Sequence, residues 1–225
     1  MGYEWGMRFE RVGYRLVIMK DCPGPAPAVA QKIREAKVTG VIDAVPCFDC
    51  VGIYMGVYEP RGKHPSEEIA ALDWSDLPAS FEGRHFRVPV VYDGEDLEGV
   101  ASRLGLGVPE VIKLHQESQF LCEAVGFCPG FGYLTGLHPA LTGLPRLDSP
   151  RPRVAPGSVA IMGDQSAVYP MERPGGWWLI GRTPLEFVNV EERFFPLEVG
   201  DTVEFFAVSE AEAREFEGRR LEAVR

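Results

Sequence analysis

No apolar run in this sequence approaches the roughly 20 residues that a membrane-spanning helix needs, so no membrane partner is expected. The opening Met1-Gly2-Tyr3-Glu4-Trp5-Gly6 has neither the basic region nor the apolar core of a secretory leader, and a cytoplasmic location is expected. Cysteine is scarce, with five in 225 residues at irregular spacing; that is no disulfide framework, and reduced thiols are expected. Basic charge is also in deficit. With 23 Lys and Arg against 33 Asp and Glu, the net charge is −10, which argues against nucleic-acid binding because neutralising phosphates needs a basic surface. A small molecule or a protein partner fits this balance better.

Two ligand-binding patterns are incomplete. Cys47 and Cys50 form a single Cys-x-x-Cys, but zinc needs four ligands, and Cys122 and Cys128 do not make a second pair, so no metal site is expected. The two cysteines read as small residues at a turn. The stretch from Gly56 to Gly62-Lys63 has five residues between its glycines instead of four. His64 also stands where a phosphate loop carries its magnesium-binding hydroxyl, so the segment reads as an exposed turn.

Glycine and proline are abundant, at 25 and 19 residues, and they cluster with arginine and aromatics between Gly126 and Thr183. The stretch contains Gly126-Phe127-Cys128-Pro129-Gly130-Phe131-Gly132-Tyr133, Pro145-Arg146, Arg153-Val154-Ala155-Pro156-Gly157-Ser158, Pro174-Gly175-Gly176-Trp177 and Gly181-Arg182-Thr183-Pro184. Glycine permits close backbone approach and proline fixes φ, so this vocabulary predicts shaped loops around a pocket.

With 45% hydrophobic residues, the chain can build two cores. An α+β fold is predicted, with a small α+β domain over 1–82 and a β-rich domain over 83–225. In the first, the pattern predicts a strand over Phe9 to Met19 and an amphipathic helix over Ala26 to Lys37 with Val29 and Ile33 inward. Strands over Val38 to Val45 and Val51 to Tyr58 and a helix from Pro65 follow. In the second, a strand at Phe86 to Tyr92 precedes helices at Glu95 to Leu104 and Pro109 to Gln116. Short strands are predicted at Phe120 to Val125, Ser158 to Met162, Trp177 to Ile180, Leu185 to Val188 and Thr202 to Val208, then a charged helix over Glu210 to Leu221.

The candidate site residues lie in and beside the Gly/Pro-rich stretch. His115 has two open readings: a helix C-terminal group favoured by the helix dipole, or an acid, base or electrophile facing the pocket. Arg146, Arg153 and Arg182 sit in pocket-type loops and suit a carboxylate or phosphate. Gln165 and Tyr169 can add neutral hydrogen bonds. Ser158 reads as a turn serine whose hydroxyl bonds locally or reaches a ligand. It lacks the second glycine of a nucleophile elbow. Of Trp177 and Trp178, alternation lets one face a given side.

Taken in order, these residues resemble the family of the 5-oxoprolinase B subunit, also described as allophanate hydrolase subunit 1 or the sporulation kinase inhibitor KipI. The matching elements are Gly126-Phe127-x-Pro129-Gly130-Phe131-x-Tyr133-Leu134-x-Gly136-Leu137, Pro145-Arg146, Pro150-Arg151-x-Arg153-Val154-x-Pro156-Gly157-Ser158-Val159, Tyr169-Pro170, Pro174-Gly175-Gly176-Trp177 and Gly181-Arg182-Thr183-Pro184. The likeness covers His85 to Val208 strongly and Met7 to Pro60 weakly. It departs at Gly13-Tyr14-Arg15-Leu16, where the family carries an acidic residue after the glycine, and at Cys50-Val51, where the family has serine-leucine.

The resemblance implies a cyclophilin-like β-barrel as the second domain and ATP-dependent opening of the 5-oxoproline lactam to L-glutamate. It further implies two partners, a barrel protein like the family's C subunit and a protein like its A subunit, with ATP shared among the chains and little activity for this chain alone. Family alternatives are inhibition of a sensor histidine kinase and a urea- or allophanate-type amide-binding role in a carboxylase system. In the pocket so implied, His115 with Arg146 or Arg153 is catalytic. Phe127, Pro129, Gly130, Phe131, Tyr133, Ser158, Gln165, Tyr169 and Arg182 hold the small amide or lactam.

Overall fold

The computed structural model describes residues 6–56 and 64–224 and separates into two compact units divided between Glu82 and Gly83. The phosphate-loop-like stretch read in the sequence falls almost wholly in 57–63, outside the described residues.

The first unit is an antiparallel sheet of β1 (Arg8–Val12), β2 (Leu16–Lys20), β3 (Val41–Cys47) and β4 (Cys50–Met55) in the order β1-β2-β4-β3. Helices α1 (Ala26–Ala36) and α2 (Pro65–Ala70) belong to the same unit. Period-two alternation buries Val17, Met19, Val51 and Ile53 on one sheet face. Helix periodicity brings Val29 and Ile33 of α1 into the same core. The helix stops at Lys37, which takes a left-handed conformation. The single strand expected over Phe9 to Met19 is instead a hairpin, because Gly13 takes a positive φ and reverses the chain between β1 and β2.

The second unit contains β5 (His85–Val90), α3 (Leu97–Leu104), α4 (Val108–Glu117), β6 (Phe120–Val125), β7 (Gly132–Thr135), β8 (Arg151–Val154), β9 (Ser158–Met162), β10 (Gln165–Val168), β11 (Arg173–Gly175), β12 (Trp178–Arg182), β13 (Thr202–Ala207) and α5 (Glu210–Ala213). Seven strands form one mixed sheet in the order β12-β9-β10-β7-β6-β13-β5, with β13 and β5 parallel. The two end strands meet just past β5: Val91 N–H donates to the Arg182 carbonyl and Arg182 N–H to the Val91 carbonyl, both at 2.9 Å. That exchange nearly closes the sheet into a barrel and satisfies its edges. Strands β8 and β11 pair separately as a two-stranded ribbon. The fold is thus a small α+β unit followed by a cyclophilin-like β-barrel.

Inside the barrel, Phe86, Val88, Val90, Phe120, Val159, Ile161, Ile180, Val203 and Phe205 pack with Leu97 and Val100 of α3 and Val111 of α4. Two sequence expectations fail here. Leu185 to Val188 is no strand, and the charged helix expected to Leu221 ends after one turn at Ala213. In both cases tertiary pairing overrides local propensity: Leu221 N–H donates to the Glu186 carbonyl, Glu186 N–H to the Arg219 carbonyl, and Leu221 is buried.

The start of the barrel is clamped by Asp201, which is 2% exposed. Its carboxylate accepts from the backbone N–H groups of Arg84 at 2.8 Å and Glu198 at 2.7 Å, and from the Arg84 guanidinium at 2.7 and 3.2 Å. Replacing Asp201 with Ala leaves these donors unpaired and is expected to destabilise the protein by about 2–4 kcal/mol in urea unfolding. A loss below about 0.5 kcal/mol, the range of ordinary surface changes, would contradict the clamp.

Candidate functional site

The Gly/Pro-rich stretch folds against the outside of the barrel. Strands β9, β10 and β12 are buried on both faces: Val159, Ile161, Val168 and Ile180 point into the barrel, while Ala160, Ala167 and Leu179 point outward. The outward residues carry a second cluster of Cys128, Phe131, Val154, Tyr169 and Trp177, with Tyr133, Met162 and Met171 at its half-buried margin. Phe131 is its hub. Its ring meets Phe127, Tyr133, Tyr169 and Trp177 edge-on at centroid distances of 5.3, 5.1, 5.3 and 5.6 Å. Such arrangements match the quadrupoles of the rings and hold the wall rigid. Phe127 remains 57% exposed at the rim, with Pro129 exposed beside it and Gly130 buried below.

Glycines let the backbone into this wall. A Cβ on Gly175 would collide with the Tyr169 hydroxyl, and one on Gly176 would stand 2.8 Å from Arg146 Nε and 3.0 Å from its Cγ. Tyr169 is 1% exposed, and its hydroxyl meets the Trp177 backbone. Burial raises its pKa, while Trp177 and the Arg146 and Arg151 charges pull the other way.

The arginines divide by partner. Arg151 is held by Glu95 at 2.5 Å and Asp96 at 2.6 Å, and the other Asp96 oxygen accepts the Leu179 N–H at 2.7 Å. Arg182 is bound by Asp93 at 2.9 Å and by Glu210, so it braces the barrel seam. Arg153 is 81% exposed, facing Glu172 at 3.7 Å. Arg173 bonds the Cys128 thiol. Arg146 has no acidic partner among the described residues. Ser158 donates to the Ala155 carbonyl at 2.8 Å, the turn-serine arrangement. Gln165 opens β10 on the same outward face as Ala167.

Beside the aromatic wall, and sharing Met171 with it, runs a cleft of about 550 Å³. Three motif segments line it, at Pro156-Gly157, Pro170 and Thr183-Pro184, together with Phe187 and Val188. The structure therefore brings Phe127, Pro129, Gly130, Phe131, Tyr133, Gln165, Tyr169 and Arg146 to one outer region. It commits Arg182 and Ser158 to structural bonds.

His115 lies elsewhere. It is fully buried inside the barrel, packed on Phe120 and Phe205 at centroid distances of 5.1 and 4.8 Å. Ser166 Oγ donates to the Ala160 carbonyl at 3.1 Å, so it accepts from His115 Nε2–H at 3.0 Å, and Nδ1 accepts from the Tyr92 hydroxyl at 2.8 Å. Both nitrogens are spent, which corrects the expectation of a pocket-facing catalytic histidine. Its sequence position gives no warning, because Tyr92 and Ser166 lie 23 and 51 residues away. Trp177, Cys128 and Arg173 belong to the outer wall but are not among the site residues read from the sequence. The signal available for Trp177 is its place directly after two glycines.

Burial lowers the His115 pKa to about 3, against an ordinary value near 6.5. The unfolded chain therefore binds a proton that the folded chain refuses. This contribution to stability is complete above about pH 6.5 and is lost as pH falls toward 3, at about 1.4 kcal/mol per pH unit. The His115→Phe variant is expected to flatten that slope in unfolding measurements, and the wild-type imidazole signal is expected to show no titration by NMR above pH 5. A midpoint near 6.5 would contradict the network.

A family model described as carboxyltransferase domain, subdomain C and D, matches residues 14–196. The chain is 35% identical over 210 residues to the 5-oxoprolinase B subunit of Bacillus subtilis (strain 168), covering 86% of each protein. Among solved structures, TTHA0988 superposes with a TM-score of 0.73 at 35% identity over 87% of this chain, which spans only 40% of that longer one. The K. lactis urea amidolyase superposes with a TM-score of 0.73 at 14% identity over 97% of this chain and 16% of its own, a likeness of fold alone. The barrel, its motif-built outer wall and the extent of these matches lead to one assignment: the chain belongs to the family of the 5-oxoprolinase B subunit.

Proposed function

We propose that this chain is one component of an ATP-dependent 5-oxoprolinase, opening the 5-oxoproline lactam to L-glutamate together with a C-like barrel partner and an A-like partner. The observation that carries the reading is convergence. Segments separated by up to about fifty residues in sequence, at 126–133, 145–146, 156–158, 169–171 and 174–177, fold onto one outer region of the barrel and supply its rings, its exposed arginine and its adjoining cleft. A relative named as the B subunit of 5-oxoprolinase, aligned over 86% of the chain, supports the same reaction class.

The chemistry suits a planar ring. A lactam presents two flat faces and an in-plane carbonyl and N–H, so edge-on aromatic walls can hold it while polar groups at the margin fix its orientation. Opening it requires charge to develop on the carbonyl oxygen, which fixed donors stabilise. In this reading Gln165, at the margin, orients the amide edge, and Phe127, Tyr133 and Met171 exclude water from the ring. ATP handling belongs to the assembled complex. His115 contributes by holding α4, β10 and Tyr92 in place behind the wall, and not by touching substrate.

The purified chain mixed with its A-like and C-like partners is expected to release phosphate in step with glutamate when 5-oxoproline is added, and omission of this chain is expected to abolish release. Phosphate release driven by urea in place of 5-oxoproline, or by neither, would overturn the assignment.

A further inference from the structure

Arg146 differs from the other arginines around the wall in how it is held. Its backbone is pinned on both sides: the Pro145 carbonyl accepts from Trp178 Nε1–H at 2.7 Å, and Leu147 N–H donates to the Gly176 carbonyl at 2.8 Å. Its side-chain stem then crosses Gly176 through space that only a missing Cβ leaves open. An arginine normally gives up rotamer freedom only when a partner repays it, yet Arg146 has no carboxylate among the described residues. Arg84, Arg151, Arg153, Arg182 and Arg220 all have one. The protein thus preorganises a cation, beside a buried tyrosine and at the end of an aromatic wall, and leaves its anion to come from outside.

We propose that Arg146 is the anion-recognition residue of this face and takes the carboxylate of a ring-bearing small acid, with Gly176 as the residue that positions it. The inference rests on reading this face as the one that binds 5-oxoproline, and it assigns recognition of that substrate's carboxylate to one residue of this chain. A guanidinium fits a carboxylate with two parallel hydrogen bonds, which fixes the ring's direction as well as its place. The five-membered lactam would then lie along the accessible rings of the wall, exposed Phe127 and half-buried Tyr133, which Phe131 and Trp177 support from beneath, with its carboxylate anchored at Arg146 and its amide edge free for reaction. Arg173 stands as a second cation of this face with no acidic partner among the described residues, tied to the Cys128 thiol and the Glu172 carbonyl.

The test uses the tryptophans beside the site as reporters. Fluorescence titration of the intact chain, alone and with its partner proteins, is run with 5-oxoproline and with 2-pyrrolidone, the same lactam lacking the carboxylate. The wild type is expected to bind 5-oxoproline at least about tenfold more tightly than 2-pyrrolidone, as charge-assisted hydrogen bonds require. R146Q is expected to erase that preference without weakening 2-pyrrolidone and without moving the urea midpoint. G176A keeps the charge but displaces it, and is expected to reduce the preference severalfold. Equal binding of the two lactams by the wild type, an undiminished preference in R146Q, or no saturable binding of 5-oxoproline in either setting would overturn the proposal. A preference that needs Arg146, found in a complex that fails to turn over 5-oxoproline, would retain this site and reject the reaction.

Discussion

Burial of strands β9, β10 and β12 on both faces is the constraint on which the second unit depends. A barrel wall usually spends one face on its core and gives the other to water. Here the outward residues are Ala160, Ala167 and Leu179, small or apolar, and an outer layer must cover them. That layer is the Gly/Pro-rich stretch. Its rings need a flat bed, which the alanines provide, and its backbone must lie within contact distance of Tyr169 and Arg146, which Gly175 and Gly176 allow. The same residues that complete the fold therefore shape the outer wall, and a substitution there acts on stability and binding together.

The inner face is fixed by a different device. The chain of hydrogen bonds from Tyr92 through His115 and Ser166 to the Ala160 carbonyl runs through an apolar core and pairs both nitrogens of the imidazole. A fully satisfied buried network specifies one arrangement of the elements it joins, whereas a half-satisfied one would cost more than an apolar replacement. It ends on Ala160, whose side chain is part of the floor of the outer cluster, so the two faces are registered through one strand.

Much of this is legible in the sequence, and what is not follows from particular residues. Phe120 to Val125 and Ser158 to Met162 can be read at their observed limits because alternating or continuous apolar residues dominate them. Strands β7, β8 and β11 escape such a reading because Gly132, Pro152 and Pro174 hide them behind loop composition. Site residues are harder. Residue type marks an arginine as an anion binder, but only the fold tells a committed one from an available one: the partners of Arg182 lie 89 and 28 residues away. The same holds for His115: the sequence leaves it as a helix C-terminal group or a pocket-facing acid or base, and only the fold shows it buried inside the barrel with both nitrogens paired.

Hydrogen exchange of the chain assembled with its partner proteins, with and without 5-oxoproline, tests the placement of the functional face most directly. Added 5-oxoproline is expected to protect backbone amides in 126–133, 145–147 and 169–177. The separate cleft formed by His85, residues 116–121 and residues 202–204 serves as an internal control and is expected to be unchanged. Protection confined to that second cleft, with the outer wall exchanging as before, would contradict the account.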